Sequence, residues 1–153
     1  MVCDPEKNRW ESRAPMPTAR DHLAVAVAGD TIFAVGGRLK SSYAKNLDTN
    51  ETYDIKKDKW IKKPPLPTPR SGIAAATLRG KIFVFGGEAP KGTFNLNEAY
   101  DPRTEQWTTM TSMPTSRHGL GATVIGDSIY VIGGGPKPGG SYSNINEVFT
   151  LKQ

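Results

Sequence analysis

Short apolar runs separated by glycine-containing turns recur along the chain. In residues 119–134, a run of small and β-branched residues reaches Gly126-Asp127 and is followed by a second apolar run. Two such runs joined by a tight turn are typical of a β-hairpin. Residues 23–37 and 73–87 have the same layout. The runs do not alternate strictly between apolar and polar residues, so they predict strands covered on both faces rather than helices.

Several residue types recur three times in the same order, which indicates an internal repeat. All sets but the last are spaced by 50 and then 47 residues. The sets are Trp10, Trp60 and Trp107; Gly36-Gly37, Gly86-Gly87 and Gly133-Gly134; Arg20, Arg70 and Arg117; Met16-Pro17, Leu66-Pro67 and Met113-Pro114; and Asn50-Glu51, Asn97-Glu98 and Asn146-Glu147.

Each repeat contains two further strands after its hairpin. A third strand is predicted at residues 51–54, 98–101 and 147–150, and a fourth surrounds each tryptophan. Four short strands in a repeat of about fifty residues are typical of one blade of a β-propeller. The sequence therefore predicts an all-β chain.

The order of these markers resembles the kelch motif of the kelch and galactose-oxidase-like superfamily. A glycine pair ends the second strand, a Tyr-Asp pair follows (Tyr53-Asp54 and Tyr100-Asp101), and a tryptophan comes next. The third repeat departs from the motif, with Phe149 in place of the tyrosine. The resemblance implies a kelch-type β-propeller, with three four-stranded antiparallel blades in this chain.

The strand count predicts a half-propeller whose last blade is split between the two ends of the chain. With the strands of a blade lettered A to D outward from the axis, residues 1–16 supply a closing D strand. Repeats follow at 17–63, 64–110 and 111–153, and the last of them lacks its own D strand. Three blades cannot close a ring of four to eight. We expect a homodimer that forms a six-bladed ring; a longer parent chain that supplies the other blades is the alternative.

Composition and charge narrow the classes of function. The net charge is +5, and five lysines crowd around Trp60, namely Lys56, Lys57, Lys59, Lys62 and Lys63. Because no second basic cluster with interleaved aromatic residues accompanies them, we interpret them as a solvated turn and expect no nucleic-acid partner.

A membrane span, a secretory signal and an internal disulfide are not expected from this sequence. No apolar run approaches the ~20 residues that a membrane span needs, and the first ten residues are polar. Cys3 is the only cysteine, which excludes an internal disulfide and a cysteine-based zinc site. We expect a soluble chain without a membrane partner, and leave its compartment open.

The candidate ligand site lies at the end of the propeller that carries the D–A and B–C loops. Arg20, Arg70 and Arg117 come directly before strand A, and the kelch resemblance implies that such residues line a central pocket. Arginine offers paired donors to a carboxylate or a phosphate. A scaffold role is the alternative, in which each arginine packs between blades or binds loop carbonyls, and both can hold. His22 and His118 follow closely and are predicted at the pocket rim.

The same end carries the longest and most divergent loops, at residues 38–49, 88–95 and 135–144. Tyr43, Phe94 and Tyr142 in these loops are candidates for a binding face, because variable loops on a rigid scaffold commonly carry function. The repeated glutamates Glu51, Glu98 and Glu147 are interpreted as scaffold, each paired with an arginine of the neighbouring blade. Two histidines without a third ligand do not predict a metal site, and no cofactor or catalytic residue is predicted.

These observations favour a non-enzymatic binding module whose partner is a protein, an acidic peptide or another anionic ligand. An enzyme acting on sugar acids, similar to the kelch-fold sialic-acid mutarotases, is the first alternative. It is less favoured because no carboxylate–histidine pair stands out in the loops. A truncated or engineered half-propeller without a ligand is the second alternative.

Overall fold

A computed structural model describes residues 1–151, and every regular element within them is a β-strand. Within this range no helix is long and apolar enough to cross a membrane. The strands are β1 (Val2–Asp4), β2 (Arg9–Glu11), β3 (Ala24–Ala28), β4 (Thr31–Val35), β5 (Arg38–Leu39), β6 (Ser42–Asn46), β7 (Asn50–Asp54), β8 (Lys59–Lys62), β9 (Ala74–Leu78), β10 (Lys81–Phe85), β11 (Glu88–Ala89), β12 (Gly92–Thr93), β13 (Asn97–Asp101), β14 (Gln106–Thr109), β15 (Gly121–Ile125), β16 (Ser128–Ile132) and β17 (Asn146–Thr150).

The strands form three antiparallel blades in chain order. Blade 1 is β3-β4-β7-β8, blade 2 is β9-β10-β13-β14, and blade 3 is β15-β16-β17. Blades 1 and 2 correspond to strands A, B, C and D, and blade 3 to strands A, B and C, so the predicted kelch-type half-propeller is confirmed. The loops between strands B and C of the first two blades carry small additional hairpins, β5-β6 and β11-β12, which the sequence patterns did not predict.

Apolar side chains fill the spaces between neighbouring blades. Between blades 1 and 2, Phe33 of β4 packs in one cluster with Val84 of β10 and Tyr100 of β13. Between blades 2 and 3, Phe83 and Ile129 belong to a second cluster. Blade 2 is therefore covered on both faces, and its central strands β10 and β13 are almost entirely buried.

Blades 1 and 3 are each covered on one face only. In β3 the alanines face blade 2, while Val25 and Val27 are exposed. In blade 3, Ile125 and Ile132 are exposed on the face away from blade 2. The prediction that strands are covered on both faces thus holds for blade 2 within this chain, and the outer blades each present an open apolar surface.

The glycine pair at the end of strand B allows close contact with the next blade. Gly36 has a φ of +61°, and a Cβ there would lie 2.7 Å from the carbonyl oxygen of Arg70 and 2.7 Å from the Ile73 side chain. The N–H of Gly37 donates to the Arg70 carbonyl at 3.1 Å. A side chain at Gly36 would therefore collide with blade 2, whereas a Cβ at Gly37 would lie 2.8 Å from the Asp21 carbonyl oxygen of its own blade.

The N-terminal strands form a hairpin of their own. β1 pairs with β2 with Cys3 opposite Trp10, which is the register in which Tyr53 of β7 stands opposite Trp60 of β8. β1 thus occupies the position of a C strand beside a D strand. Within residues 1–151, no fourth strand pairs with β17, and the use of residues 1–16 to complete a blade stays a prediction.

Candidate functional site

The three repeated arginines lie inside their blades. Arg20 is held directly before β3, and its side chain has no exposed surface. Its Nε donates to the Gly36 carbonyl at 2.8 Å, and its Nη2 donates to the Ala34 carbonyl at 2.9 Å. Its Nη1 donates to Glu51 Oε2 at 2.6 Å. The guanidinium therefore ties the start of strand A to strands B and C of the same sheet.

Arg70 and Arg117 repeat this arrangement in blades 2 and 3. Arg70 donates to Glu98 and to two carbonyls of blade 2, and Arg117 donates to Glu147 Oε2 at 2.7 Å. Both arginines are fully buried. Burial lowers the pKa of the Arg70 guanidinium, and the charge of Glu98 opposes that shift.

The expectation that each glutamate pairs with an arginine of the neighbouring blade is wrong. Glu51 pairs with Arg20 within blade 1, because strands A and C flank strand B of the same sheet and bring the two side chains together. The contacts observed are those of a scaffold, and the three arginines offer no exposed donor. Their predicted use as ligands for an anion in a central pocket stays a prediction.

A second charged cluster joins the three blades just outside the arginines. Arg38 of β5 donates to Glu88 Oε1 of β11 at 2.6 Å, and both side chains are buried. Nε of the same guanidinium donates to Asp21 Oδ1 at 3.1 Å. Nδ1 of His118, in blade 3, lies 3.6 Å from Glu88 Oε1. We refer to Asp21, Arg38, Glu88 and His118 as the rim cluster.

The two histidines occupy different positions in their repeats. His118 is buried in the rim cluster, and its Nε2 lies 3.0 Å from the Lys137 carbonyl. His22 is half-exposed, with Nδ1 2.7 Å from Asp21 Oδ1. The N–H of Ser41 donates to Asp21 and lowers the pKa of that carboxyl, with further lowering from His22 and Arg38. Both histidines lie on the predicted end of the propeller, but their side chains are not equivalent.

Backbone hydrogen bonds connect the blades at the point where each strand A begins. The N–H of Gly72 donates to the His22 carbonyl at 2.9 Å, and the N–H of Gly119 donates to the Gly72 carbonyl at 2.7 Å. All three residues have a positive φ. The bonds run in one direction, so each blade donates to the blade before it.

The outer part of the same end is formed by the B–C loops, which we refer to as the loop face. Tyr43 lies over the Arg38 guanidinium, with 5.7 Å between Cζ and the ring centroid. Phe94 is partly buried, and Tyr142 is 90% exposed. Four lysines of these loops are exposed: Lys40, Lys45, Lys91 and Lys137. The pairing of Arg38 with Glu88 was not predicted from the sequence, because neither residue recurs in the three repeats.

A pocket of about 390 Å³ lies beside the free edge of β17. Its walls come from β17, from the linker between blades 2 and 3, and from Phe85 and Val131. Phe149 and Met113 supply much of the apolar lining. Separately, no group of three or more potential metal ligands occurs among residues 1–151.

The repeated blades and the glycine pairs between them define a kelch-type β-propeller chain with three blades. The family model of the KLHDC2/KLHL20/DRC7 Kelch-repeats domain matches residues 1–152. The chain therefore belongs to this family of Kelch-repeat domains, which are typically protein-interaction modules without enzymatic activity. The comparison with curated proteins found no match.

Proposed function

We propose that this chain is a protein-interaction module whose loop face binds an acidic segment of a partner protein. The observation that carries the proposal is the group of exposed lysines on that face. Lys91 lies in the turn between β11 and β12, and Lys137 lies in the B–C loop of blade 3. The two loops are in contact, since the Thr93 hydroxyl donates to the Pro136 carbonyl at 3.0 Å, and a single peptide that crosses them can reach both lysines.

Asp21 and Glu88 of the rim cluster exceed Arg38 by one negative charge, which the four exposed loop-face lysines outnumber. Glu88 and Asp21 are both bound to Arg38, and Glu88 also accepts a hydrogen bond from the Gly139 backbone. The lysines are free to attract a partner of opposite charge, which favours electrostatic steering and dependence on salt. Exposed Tyr142 and partly buried Tyr43 add aromatic surface of the kind enriched at interfaces.

The proposal includes a two-chain ring of six blades. The exposed valines of β3 and the exposed isoleucines of blade 3 lie on surfaces equivalent to those buried between blades 1 and 2 and between blades 2 and 3. Packing the open face of blade 3 against the open face of blade 1 of a second copy covers both surfaces. The loop faces of the two copies then lie at the same end of one ring.

Binding of a fluorescent peptide rich in aspartate and glutamate tests the loop face. Replacing both Lys91 and Lys137 by glutamate is expected to weaken binding about tenfold or more, since each exposed ion pair contributes roughly 0.2–1 kcal/mol and charge reversal adds repulsion. Lys57→Glu is the matched control, because Lys57 is exposed in the turn after β7, at the opposite end of the blade. Equal weakening by the control variant would contradict a specific loop-face site.

A further inference from the structure

A tryptophan of strand D packs on an aromatic residue of strand C in each complete blade. The ring centroids of Tyr53 and Trp60 are 5.1 Å apart in blade 1, and those of Tyr100 and Trp107 are 5.0 Å apart in blade 2. Both tryptophans stand directly opposite their tyrosines across the strand pair. The aromatic pair is therefore a repeated contact between the last two strands of a blade.

Each of these tryptophans also binds the linker that precedes its blade. The indole N–H of Trp60 donates to the Ala14 carbonyl at 3.0 Å, and that of Trp107 donates to the Pro64 carbonyl at 3.0 Å. The Pro64 carbonyl accepts a second hydrogen bond, from the side chain of Asn50. Both tryptophans thus satisfy their polar atom, and the ring of Trp107 also packs against the apolar cluster between blades 1 and 2.

Blade 3 has the residues that surround a strand D tryptophan in the other blades, but no tryptophan lies among them. Phe149 stands where Tyr100 stands in blade 2, and the Thr111 carbonyl corresponds to that of Pro64, at a spacing of 47 residues. Thr111 accepts a hydrogen bond from the side chain of Asn97, as Pro64 does from Asn50. These residues line the pocket of about 390 Å³ beside β17. The pocket is therefore the blade 3 counterpart of the space that Trp107 fills in blade 2.

The chain carries one tryptophan that makes no such contact. Trp10 lies on β2 and is 68% exposed. It stands opposite Cys3 in the N-terminal hairpin, so a small side chain occupies the position that an aromatic ring has in the complete blades. β1 has only three residues, and Val2 and Cys3 are exposed. A two-stranded hairpin of this size has little stability of its own.

We propose that Trp10 of a second copy enters the pocket beside β17, that β2 of that copy becomes the fourth strand of blade 3, and that β1 is released from β2. This inference rests on the proposed two-chain ring and specifies how the copies recognise each other. β1 pairs with β2 in the C–D register, and the exchange places β17, the C strand of blade 3, on the same edge of β2, so the two strands compete for it. In the exchanged arrangement Trp10 stands opposite Phe149 instead of Cys3.

The competition favours β17 because it offers more contacts than β1. The exchange buries the ring of Trp10 against Phe149 and Met113 and gives its N–H the Thr111 carbonyl as acceptor. The released β1 loses only a short pairing of exposed residues. β2 continues directly into the linker that supplies Ala14 to Trp60, so the inserted strand leads straight into blade 1 of its own chain.

Analytical ultracentrifugation of the full chain tests the proposal. The wild-type chain is expected at twice its mass of 16.6 kDa. Trp10→Ala is expected to raise the dissociation constant at least about 30-fold, since a buried interface tryptophan typically contributes about 2 kcal/mol or more. Arg9→Ala is the matched control, because Arg9 is an exposed neighbour on the same strand, and it is expected to leave the dimer intact.

Addition of a synthetic peptide of residues 7–16 to the Trp10→Ala chain separates pocket binding from dimer formation. The wild-type peptide is expected to bind, with a blue shift of its tryptophan fluorescence, whereas the same peptide with alanine at position 10 is expected not to bind. A Trp10→Ala chain that dimerises as tightly as the wild type overturns this inference and leaves the ring standing. A wild-type chain that stays monomeric overturns both the ring and the exchange between copies, and binding of the peptide would then show only that the pocket accepts Trp10.

Discussion

Arg38 and Glu88 form a buried ion pair across the boundary between blades 1 and 2, with 2.6 Å between Nη1 and Oε1. The two residues occupy equivalent positions in consecutive repeats, directly after the glycine pair, and they carry opposite charges. In the third repeat the same position is Gly135. The position after the glycine pair thus links blades 1 and 2 because it carries opposite charges in the two repeats. The repeated arginines, in contrast, form ion pairs within their own blades.

Glu88→Gln is expected to destabilise the chain. Removing one partner of a buried ion pair typically costs about 3–5 kcal/mol, because the other charge stays buried. Asp21 still contacts the guanidinium of Arg38, so we expect a loss near the lower end of that range. Urea unfolding followed by circular dichroism measures it. Asp30→Asn removes the exposed ion pair with Lys56 and serves as the control. If Glu88→Gln lowers the free energy of unfolding no more than this control does, the Arg38–Glu88 pair does not stabilise the fold.

Gly36→Ala is expected to be much more destabilising than Gly29→Ala. Both glycines have a positive φ, so both alanines incur about 1–2 kcal/mol of backbone strain. A Cβ at Gly29 meets no atom within 4 Å, whereas one at Gly36 collides with the Arg70 carbonyl of the next blade. Overpacking adds about 1–3 kcal/mol. Thermal unfolding of the two variants gives the difference, and equal losses would show that close approach of the blades is not limiting.

Tyr100→Phe is expected to stabilise the chain by about 1 kcal/mol at neutral pH, because the buried Tyr100 hydroxyl has no hydrogen-bond partner and such a group is costly to desolvate. Phenylalanine already occupies the equivalent position at Phe149. Tyr53→Phe is the matched comparison and should destabilise, since the Tyr53 hydroxyl donates to Asp58 Oδ1 at 2.5 Å. Denaturation midpoints that change in the same direction for both variants would refute this interpretation.

Alkaline unfolding provides a further test of Tyr100. Burial raises the pKa of Tyr100 from 10.0 to about 12. Because the folded state favours the neutral phenol, the unfolded state loses this proton first, so the free energy of unfolding does not change with Tyr100 titration below pH 10 and falls as the pH rises towards 12. Tyr100→Phe should reduce the loss of stability between pH 10 and pH 12 in urea titrations. An unchanged slope in this variant would contradict a raised pKa at Tyr100.

Acid stability should depend on Asp58. The Tyr53 hydroxyl, and then the N–H of Ala14, lower the pKa of Asp58 below 3.8. A carboxyl with a depressed pKa stabilises the fold above its unfolded pKa and loses that contribution as the pH falls through the folded value. Asp58→Asn is therefore expected to flatten the dependence of the unfolding midpoint on pH below about pH 4. Tyr53→Phe removes the hydrogen bond that lowers the pKa of Asp58 most, and it should flatten the pH dependence in part. If both variants keep the wild-type slope, Asp58 does not contribute to the acid dependence of stability.

The repeat explains why most of the fold could be predicted from the sequence. Glycine pairs recur at fixed spacing because the end of strand B lies close to the next blade, as it does in blades 1 and 2. Tryptophans recur because those of the complete blades pack at the same place, on strand C and on the linker that precedes each blade. That spacing predicted strands C of all three blades, including β17, in which Phe149 replaces tyrosine. The hairpins β5-β6 and β11-β12 were missed because they lie in loops whose sequences differ from one repeat to the next.

The sequence predicted the site less well than the fold. A repeated arginine is compatible with a buried scaffold or with a pocket, since residue type alone does not reveal which acceptors surround a guanidinium. Arg20 is enclosed by Glu51 and by carbonyls at the end of strand B, and these acceptors come together only when the strands have paired. The rim cluster could not be predicted from repetition, because Arg38 and Glu88 are different residue types at the same position of consecutive repeats.

Because blade 2 is covered on both faces, we expect it to unfold locally less often than blades 1 and 3. Strands β10 and β13 lose their contacts only when the whole array comes apart, so their amides should exchange with solvent most slowly. Blades 1 and 3 have a neighbour on one side and can detach individually, as terminal units of a repeat array do. The surfaces by which two copies are proposed to meet therefore belong to the blades that unfold locally most readily. Association of the two copies is expected to slow the local unfolding of these blades.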